Sequence, residues 1–280
     1  MQIVITTAEL SAALASRGGG TVALVPTMGA LHSGHLALVA AAKARADFVV
    51  MSIFVNPLQF GASEDLERYP RQLDADAKLA ATAGVDLLFA PTVEEIYPPG
   101  VELEHPKPGP VGELFEGANR PGHFGGMLTV VNRLFDLVKP DFAVFGTKDA
   151  QQLFLVRQLA VERNRAGKRN IEVVPLETVR ESDGLALSSR NRYLTPGERE
   201  GATSLHRALS FGAKQPTPSS ALQAAGTVLE NEPMAKLEYL ALVDEATFMP
   251  ITDGFRGPAR ILVAAKFGTT RLIDNQSITF

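Results

Sequence analysis

Two histidines lie at a point of the chain where a buried strand is expected to turn into a helix. The stretch 26–35, PTMGALHSGH, follows the apolar run 21–25 and leads into a helix-forming run, so His32 and His35 fall near the helix start. Backbone N–H groups are unpaired there, and the helix dipole favours negative charge. Imidazoles at this place can donate hydrogen bonds to phosphate oxygens during phosphoryl or nucleotidyl transfer. The pattern therefore indicates a phosphate-handling site.

Two other roles stay open for the histidine pair. Either ring could cap the helix or pack in the core, as single histidines at helix starts usually do, and the two together could ligate zinc. Gly34 favours phosphate, because it lets a ligand approach the backbone closely. A zinc site needs further ligands, and the sequence has no obvious third ligand nearby and no cysteine.

Further cationic and polar side chains follow later in the chain. Lys148 can hold a nucleotide phosphate as a point charge, and Asp149 can bond a ribose hydroxyl or merely cap a helix. The stretch 188–190, Ser-Ser-Arg, offers two hydroxyls and a bidentate guanidinium for phosphates, or is a polar linker. Gln59 and Gln152 can fix a small polar substrate, although each alone could be an ordinary surface amide.

No nucleophile–base pair accompanies these candidates, and His123 stays unassigned. A set of cations and hydrogen-bond donors favours catalysis by positioning and charge stabilisation, with the reacting groups supplied by the bound substrates.

Alternating apolar runs and helix-forming stretches predict the scaffold that positions these residues. The expected strands are 21–25, 48–55, 85–90, 141–145 and 171–176. The expected helices are 7–17, 34–45, 72–83, 127–138 and 150–161. This alternation implies an α/β fold with a Rossmann-like, doubly wound parallel sheet of five strands. Ligands bind at the carboxyl ends of such strands, so the polar residues that follow them should converge.

The pattern changes from about residue 179. Short strands are expected at 237–243, 260–265 and 271–273, and Thr195-Pro196 fits the start of a preceding helix. We therefore divide the chain into a first domain, 1–178, and a smaller C-terminal α+β domain, 179–280, that would cover the crevice. The segment 91–124 is expected to be irregular, and loops of that length are often functional.

Composition narrows the class of protein. The chain has 27 basic and 31 acidic residues, a net charge of −4, which gives no electrostatic support for a nucleic-acid partner. It has no cysteine, so disulfides and thiol chemistry are excluded. It contains neither a P-loop nor a dinucleotide-binding glycine fingerprint. No membrane helix and no signal peptide are apparent, so we expect a cytoplasmic enzyme without a membrane partner.

Six stretches together resemble one family in their order and spacing. The stretch 28–35 is similar to the His-x-Gly-His signature of the nucleotidyltransferase superfamily, and the others are 54–60, 65–71, 116–124, 145–153 and 183–194. On this set the chain resembles the pantoate–β-alanine ligase family over nearly its whole length. The resemblance implies condensation of D-pantoate with β-alanine, using ATP and Mg²⁺, through pantoyl adenylate. It also implies a homodimer in which the smaller domain closes over ATP.

The resemblance implies a role for each matching residue. Stabilisation of the reacting phosphates is expected from His32, His35, Lys148 and Arg190. ATP contacts are expected from these four and from Met28, Gly146, Thr147, Asp149, Leu187, Ser188 and Ser189. Pantoate contacts are expected from Pro26, Met28, Asn56, Gln59, Val130, Val131 and Gln152, with Asn56 also matching a polar residue of the second-step site. No protein ligand for the metal is apparent, so Mg²⁺ would be held by ATP oxygens and water.

The chain departs from the family pattern at three positions. Thr147 stands where the family often has glutamate, and Leu58 and Leu187 stand where methionine is common. None of these changes removes a group that the chemistry needs. Two other functions remain open beside the ligase. One is a related nucleotidyltransferase that adenylylates a phosphopantetheine-like substrate, and the other is a non-catalytic nucleotide-binding protein on the same scaffold.

Overall fold

The computed structural model describes residues 1–61, 66–67 and 69–280. These residues form two units. The N-terminal unit consists of Met1–Thr147 and Gln151–Glu177, and the C-terminal unit consists of Lys148–Ala150 and Thr178–Phe280. The three-residue stretch at 148–150 thus groups with the C-terminal unit, although both of its flanks in the chain belong to the N-terminal unit.

The N-terminal unit contains a parallel sheet. Its strands are β1 Gln2–Val4, β2 Val22–Thr27, β3 Phe48–Ile53, β4 Leu87–Phe89, β5 Phe142–Gly146 and β6 Glu172–Leu176. They lie in the order β1-β4-β3-β2-β5-β6, and every neighbouring pair is parallel. The chain winds from β2 toward β4 on one side and from β5 to β6 on the other. The strand order therefore reverses between β2 and β5, where open α/β sheets bind ligands.

Helices cover both faces of this sheet. They are α1 Thr7–Ser16, α2 Ser33–Lys43, α3 Leu73–Ala83, α4 Val93–Ile96, α5 Glu116–Asn119, α6 His123–Val138 and α7 Ala150–Arg165. Leu24 of β2 packs in one buried cluster with Leu10 of α1 and Phe135 of α6. Val25, the next residue, packs in a second cluster with Val39 of α2. Because successive side chains of a strand point to opposite faces, a strand covered on both sides is apolar throughout.

The sheet has one strand more than the five expected. β1 is an edge strand of three residues that pairs with β4, and its first two residues, Gln2 and Ile3, are exposed. So short a strand carries no recognisable alternation, which is why the sequence pattern does not predict it.

The segment 91–124 is more regular than expected. It contains the short helices α4 and α5, and α6 begins at His123 rather than at 127. The first turn of α6 includes Gly125 and Gly126, which have poor helix propensity and hide the helix start in the sequence.

The C-terminal unit pairs three helices with an antiparallel sheet. Its elements are α8 Pro196–Ala202, α9 Ser204–Gly212, α10 Pro218–Glu230, β7 Ala235–Asp244, β8 Pro258–Phe267 and β9 Thr270–Thr279, with strand order β7-β8-β9. Leu205 and Leu209 of α9 pack against Ile261 and Val263 of β8 in one buried cluster. Thr195 caps α8 as the sequence predicts.

Strand β9 continues well past the expected end at 273. The residues that hide it are polar but buried, since Asp274 and Asn275 are 3% and 5% exposed. Arg180 donates two hydrogen bonds to the Asp274 carboxylate, at 2.6 and 2.9 Å, and Arg260 donates to Asn275 Oδ1 at 2.6 Å. Arg180 is 94 positions from Asp274, and Arg260 lies in the paired strand β8, so the apolar pattern of β9 itself does not reveal the strand.

Candidate active site

A buried carboxylate holds the turn after β2. Gly29 and Ala30 have positive φ angles of 84° and 51°, which glycine adopts freely and alanine does not. Asp76 of α3, 1% exposed, accepts hydrogen bonds of 2.8 Å from the backbone N–H groups of Ala30 and Leu31. The Asp76 carboxylate thus stabilises the turn that leads directly to the histidine pair.

The two histidines lie at the N-terminus of α2, with His32 as the N-cap residue in an extended conformation. The ring centroids of His32 and His35 are 4.1 Å apart. Nδ1 of His35 is 3.2 Å from the backbone nitrogen of His32. A backbone N–H can only donate, so Nδ1 accepts, and the neutral ring carries its proton on Nε2. The His35 ring therefore carries its hydrogen-bond donor at Nε2. A donor of this kind stabilises an oxyanion that binds at a helix N-terminus.

Three of the expected pantoate residues lie together at the ends of β2 and β3. Nε2 of Gln59 is 2.8 Å from Sδ of Met28, and Nδ2 of Asn56 donates to Oε1 of Gln59 at 3.1 Å. Asn56 also caps the 3₁₀ turn Pro57–Gln59. Asn56 and Gln59 are 1% and 8% exposed, so the structure buries both amides.

Helix α6 lies directly against this loop. The Gly126 carbonyl accepts a hydrogen bond of 3.0 Å from Asn56 Nδ2, and a Cβ at position 126 would lie 2.0 Å from the carbonyl oxygen of Leu58. Only glycine permits this approach of helix and loop. Val130 and Val131, on the next turn, are 7% and 4% exposed.

The carbonyl of Gln59 is held by Arg120, the C-cap residue of α5, and by His123, the first residue of α6. Nδ1 of His123 is 2.8 Å from this oxygen, and Nη2 of Arg120 is 3.4 Å from it. Arg120 Nη1 is also 3.1 Å from His123 Nε2. A carbonyl only accepts and a guanidinium only donates, so His123 is neutral with its proton on Nδ1. His123, which sequence reasoning leaves unassigned, thus positions the backbone of Gln59.

Two amide side chains follow β5, and they differ in burial. Gly146 is half-buried, and Thr147 is 4% exposed. The Gln151 side chain bonds three backbone groups of the segment 111–116, at 2.7, 2.8 and 3.1 Å, and is itself buried. Gln152, its neighbour, is half-buried. The structure therefore gives Gln151 a scaffold role and leaves Gln152 as the amide with accessible surface.

The other phosphate candidates lie in the C-terminal unit. Lys148 Nζ is 3.8 Å from Asp149 Oδ1 in a partly exposed ion pair, and Asn275 Nδ2 donates to the Lys148 carbonyl at 2.8 Å. Ser188 Oγ accepts a hydrogen bond of 3.2 Å from the backbone N–H of Arg190 and caps the 3₁₀ turn that begins at Ser189.

Leu187 and the Ser-Ser-Arg stretch that follows it are half-buried, which leaves part of each side chain accessible to a ligand. Their loop is anchored upstream by Asp183, whose carboxylate lies 2.7 Å from Arg199. The hydrogen bond from Arg199 lowers the pKa of Asp183 below its ordinary value.

The sequence did not predict several positioning residues, and only Asp76 has a sequence pattern that could have identified it. Asp76 and Ala80 are the buried residues of α3. They lie four positions apart, so the helical spacing in the sequence places the Asp76 carboxylate on the same face as Ala80. Tyr97, Arg120 and Gln151 act through partners far away in the chain. Pro26 is half-buried in β2. Asp65 and Arg68 of the family-like stretch 65–71 lie outside the described residues.

In residues 1–61, 66–67 and 69–280, no helix is both long and apolar enough to cross a membrane. Across the same part of the chain, His, Asp and Glu side chains do not form a group of three or more that could hold a metal ion.

The chain matches one protein family, both by a family model and by its similarity to individual proteins. The family model described as pantoate-beta-alanine ligase matches residues 2–277. A pantothenate synthetase of Leifsonia xyli subsp. xyli is 52% identical over 260 residues, covering 92% of this chain and 89% of that protein. A pantothenate synthetase of Salinispora arenicola is 51% identical over 284 residues, covering 99% of this chain and 97% of that protein.

Solved structures give the same result. The crystal structure of pantothenate synthetase from Thermus thermophilus superposes with a TM-score of 0.90 at 49% identity, covering 99% of both chains. The pantoate-beta-alanine ligase from Francisella tularensis, crystallised with beta-gamma ATP and β-alanine, has a TM-score of 0.79 at 34% identity. That comparison covers 99% of this chain and 97% of the Francisella chain.

Proposed function

The chain belongs to the pantoate–β-alanine ligase family, and we propose that it joins D-pantoate to β-alanine through a pantoyl adenylate intermediate. The overall reaction of the family is the ATP-dependent condensation of the two substrates. In the first half-reaction a pantoate carboxylate oxygen attacks the α-phosphorus of ATP, the bond to the β-phosphate oxygen breaks, and pyrophosphate leaves. In the second, the β-alanine nitrogen attacks the acyl carbon, loses a proton, and AMP leaves.

We assign stabilisation of the first transition state to His32 and His35. The Nε2–H of His35, fixed by the backbone contact at Nδ1, is a preorganised donor at a helix N-terminus. Such a donor stabilises developing negative charge most strongly when its orientation is set before the reaction. This preorganised donor is the observation that carries the proposal.

We assign further ATP contacts to the other phosphate and ribose candidates. In the C-terminal unit, Lys148 and Arg190 supply positive charge, and the hydroxyls of Ser188 and Ser189 supply donors that suit phosphate oxygens. Asp149 is assigned to a ribose hydroxyl. The remaining contacts are assigned to Met28, Gly146, Thr147 and Leu187.

We assign pantoate to two amides, Gln59 after β3 and Gln152 in α7 after β5. Gln59 offers its amide nitrogen next to Met28, and Gln152 offers a second accessible amide. Val130 and Val131 are assigned as apolar surface for the substrate methyl groups, and Pro26 of β2 is assigned to the same substrate. Neutral donors and apolar walls suit a small hydroxy acid.

Two further properties stay predictions: a homodimer, which the resemblance implies, and a cytoplasmic location, which we expect from the sequence. Magnesium enters as part of the substrate, MgATP. We assign its coordination to phosphate oxygens and water.

Pyrophosphate release by the purified protein tests the function. With MgATP, release should depend on D-pantoate, and AMP and pantothenate should form only after β-alanine is added. Release without pantoate dependence, in folded protein that binds ATP, would refute the substrate assignment. Release that instead depends on a phosphorylated alcohol would identify a related nucleotidyltransferase, and absence of any turnover would favour a binding protein.

A further inference from the structure

Backbone groups fix the orientation of the Asn56 side chain. The Leu58 N–H, which can only donate, is 3.2 Å from Oδ1, and the Gly126 carbonyl, which can only accept, is 3.0 Å from Nδ2. Exchanging the amide oxygen and nitrogen of Asn56 would place donor against donor and acceptor against acceptor. The orientation of Asn56 is therefore determined by the fold.

Tyr97 completes the hydrogen bonding of this amide. Its hydroxyl is 2.7 Å from Oδ1 of Asn56, and because that oxygen only accepts, the hydroxyl donates. Burial raises the pKa of Tyr97 well above its ordinary value, so the hydroxyl keeps its proton at physiological pH. The Tyr97 ring packs edge-on against Phe54 with centroids 6.0 Å apart. Both lone pairs of Oδ1 are thus occupied by protein groups.

The Asn56 amide in turn sets the direction of Gln59. One Nδ2 hydrogen of Asn56 bonds the Gly126 carbonyl, so the other is directed at Oε1 of Gln59, 3.1 Å away. The Gln59 oxygen is then used, and its Nε2 group points at Sδ of Met28. A thioether is a weak acceptor, so a ligand oxygen is a better partner for these hydrogens. Position 59 therefore presents a donor.

We propose that Tyr97 is a positioning residue for the acid substrate. Through Asn56 it keeps the amide nitrogen of Gln59 turned toward the substrate, so that this position selects a hydrogen-bond acceptor. Asn56 has all four amide positions filled by protein partners and acts as the relay rather than as a substrate contact. The inference rests on the proposed function, because pantoate is the acid assigned to Gln59.

Tyr97→Phe keeps the ring and removes only the hydroxyl. The KM for D-pantoate in the pyrophosphate-release assay should rise roughly five- to tenfold, as for loss of one buried hydrogen bond, while the KM for ATP stays unchanged. Tyr239→Phe in β7 is the matched control and should leave both KM values unchanged. A Tyr97→Phe enzyme with an unchanged pantoate KM, or with equal rises in both KM values, overturns the inference.

A double variant separates positioning from a merely structural effect. If Tyr97 acts through Gln59, Tyr97→Phe should raise the pantoate KM no further in a Gln59→Ala background. Additive effects of the two changes would overturn the relay. Asn56→Asp gives an independent test, since the new carboxylate has no hydrogen for Oε1 of Gln59, and that amide would turn over.

Asn56→Asp should therefore raise the pantoate KM at least as much as Gln59→Ala, and an unchanged KM overturns the inference even if Tyr97→Phe does not fold. The wild-type enzyme shows whether the proposed function is wrong or only the role of Tyr97 is wrong. Without pantoate-dependent pyrophosphate release in the wild type, the proposed function itself is wrong. With that dependence present and the variants behaving otherwise than stated, only the role of Tyr97 is wrong.

Discussion

Replacing Asp76 by asparagine should damage both stability and catalysis, although Asp76 is not expected to touch a substrate. The carboxylate accepts two backbone hydrogen bonds of 2.8 Å, from Ala30 and Leu31, and a third of 3.2 Å from Gln72. An asparagine has one oxygen, so its NH₂ group must face at least one donor. Loss of one buried, charge-assisted bond costs about 1.5–3 kcal/mol.

The effect on catalysis follows from the turn that Asp76 holds. Ala30 has a positive φ angle, so without the carboxylate the turn can relax and shift His32 and His35. A displacement of about 1 Å of catalytic groups can cost on the order of 10²-fold in rate. Asp76→Asn should therefore lower the rate of pyrophosphate release at saturating substrate by about that factor.

Urea unfolding and pyrophosphate release, measured on the same protein preparations, check the Asp76 prediction. Asp74→Asn is the matched control, because Asp74 lies in the first turn of the same helix and is exposed. The control should match the wild type in both assays. If Asp76→Asn also matched the wild type, the turn would not depend on the carboxylate, and our account of how the histidines are positioned would be refuted.

Three other changes test separate parts of the structure. His35→Ala should lower pyrophosphate release by on the order of 10²-fold with unfolding unchanged, and near wild-type activity would contradict the donor role. Gly126→Ala should raise the KM for pantoate by at least about tenfold, since its Cβ would meet the Leu58 carbonyl at 2.0 Å; an unaltered KM would show that helix and loop can separate freely. Burial, and then the charge of Arg180, lower the pKa of His206 in the folded protein. The unfolded chain thus binds the proton more readily, and stability should fall as the pH drops below about 6.5. His206→Gln should reduce this loss in unfolding experiments at pH 7 and pH 5, and an identical pH dependence would argue against it.

The central strands could be predicted because their pattern is local. β2 and β3 are continuous apolar runs, and the turn after β2 carries the histidines at a helix start, as the sequence indicates. β1 has too few residues to show a pattern, and the buried polar residues of β9 conceal the part of that strand after residue 273. A local apolar pattern identifies a strand only when the side chains that the strand buries are apolar.

The contacts that orient the candidate site could not be predicted in the same way. Tyr97 and Asn56 are 41 positions apart, and Asp76 and Ala30 are 46 positions apart. Nothing in either neighbourhood identifies the partner, because hydrogen bonds between distant segments exist only once the fold brings them together. The types of residue at the site can be recognised from the sequence, whereas the orientation of each amide and imidazole depends on those distant partners.

The placement of Lys148 has a consequence for dividing the protein into fragments. The boundary between the two units is crossed after Thr147, after Ala150 and after Glu177. A fragment that ended at 177 would keep Lys148 in its chain but lose Asn275, whose side chain bonds the Lys148 carbonyl at 2.8 Å. The lysine and its support are thus encoded 127 codons apart in the gene, so a truncation or recombination between them would separate the two.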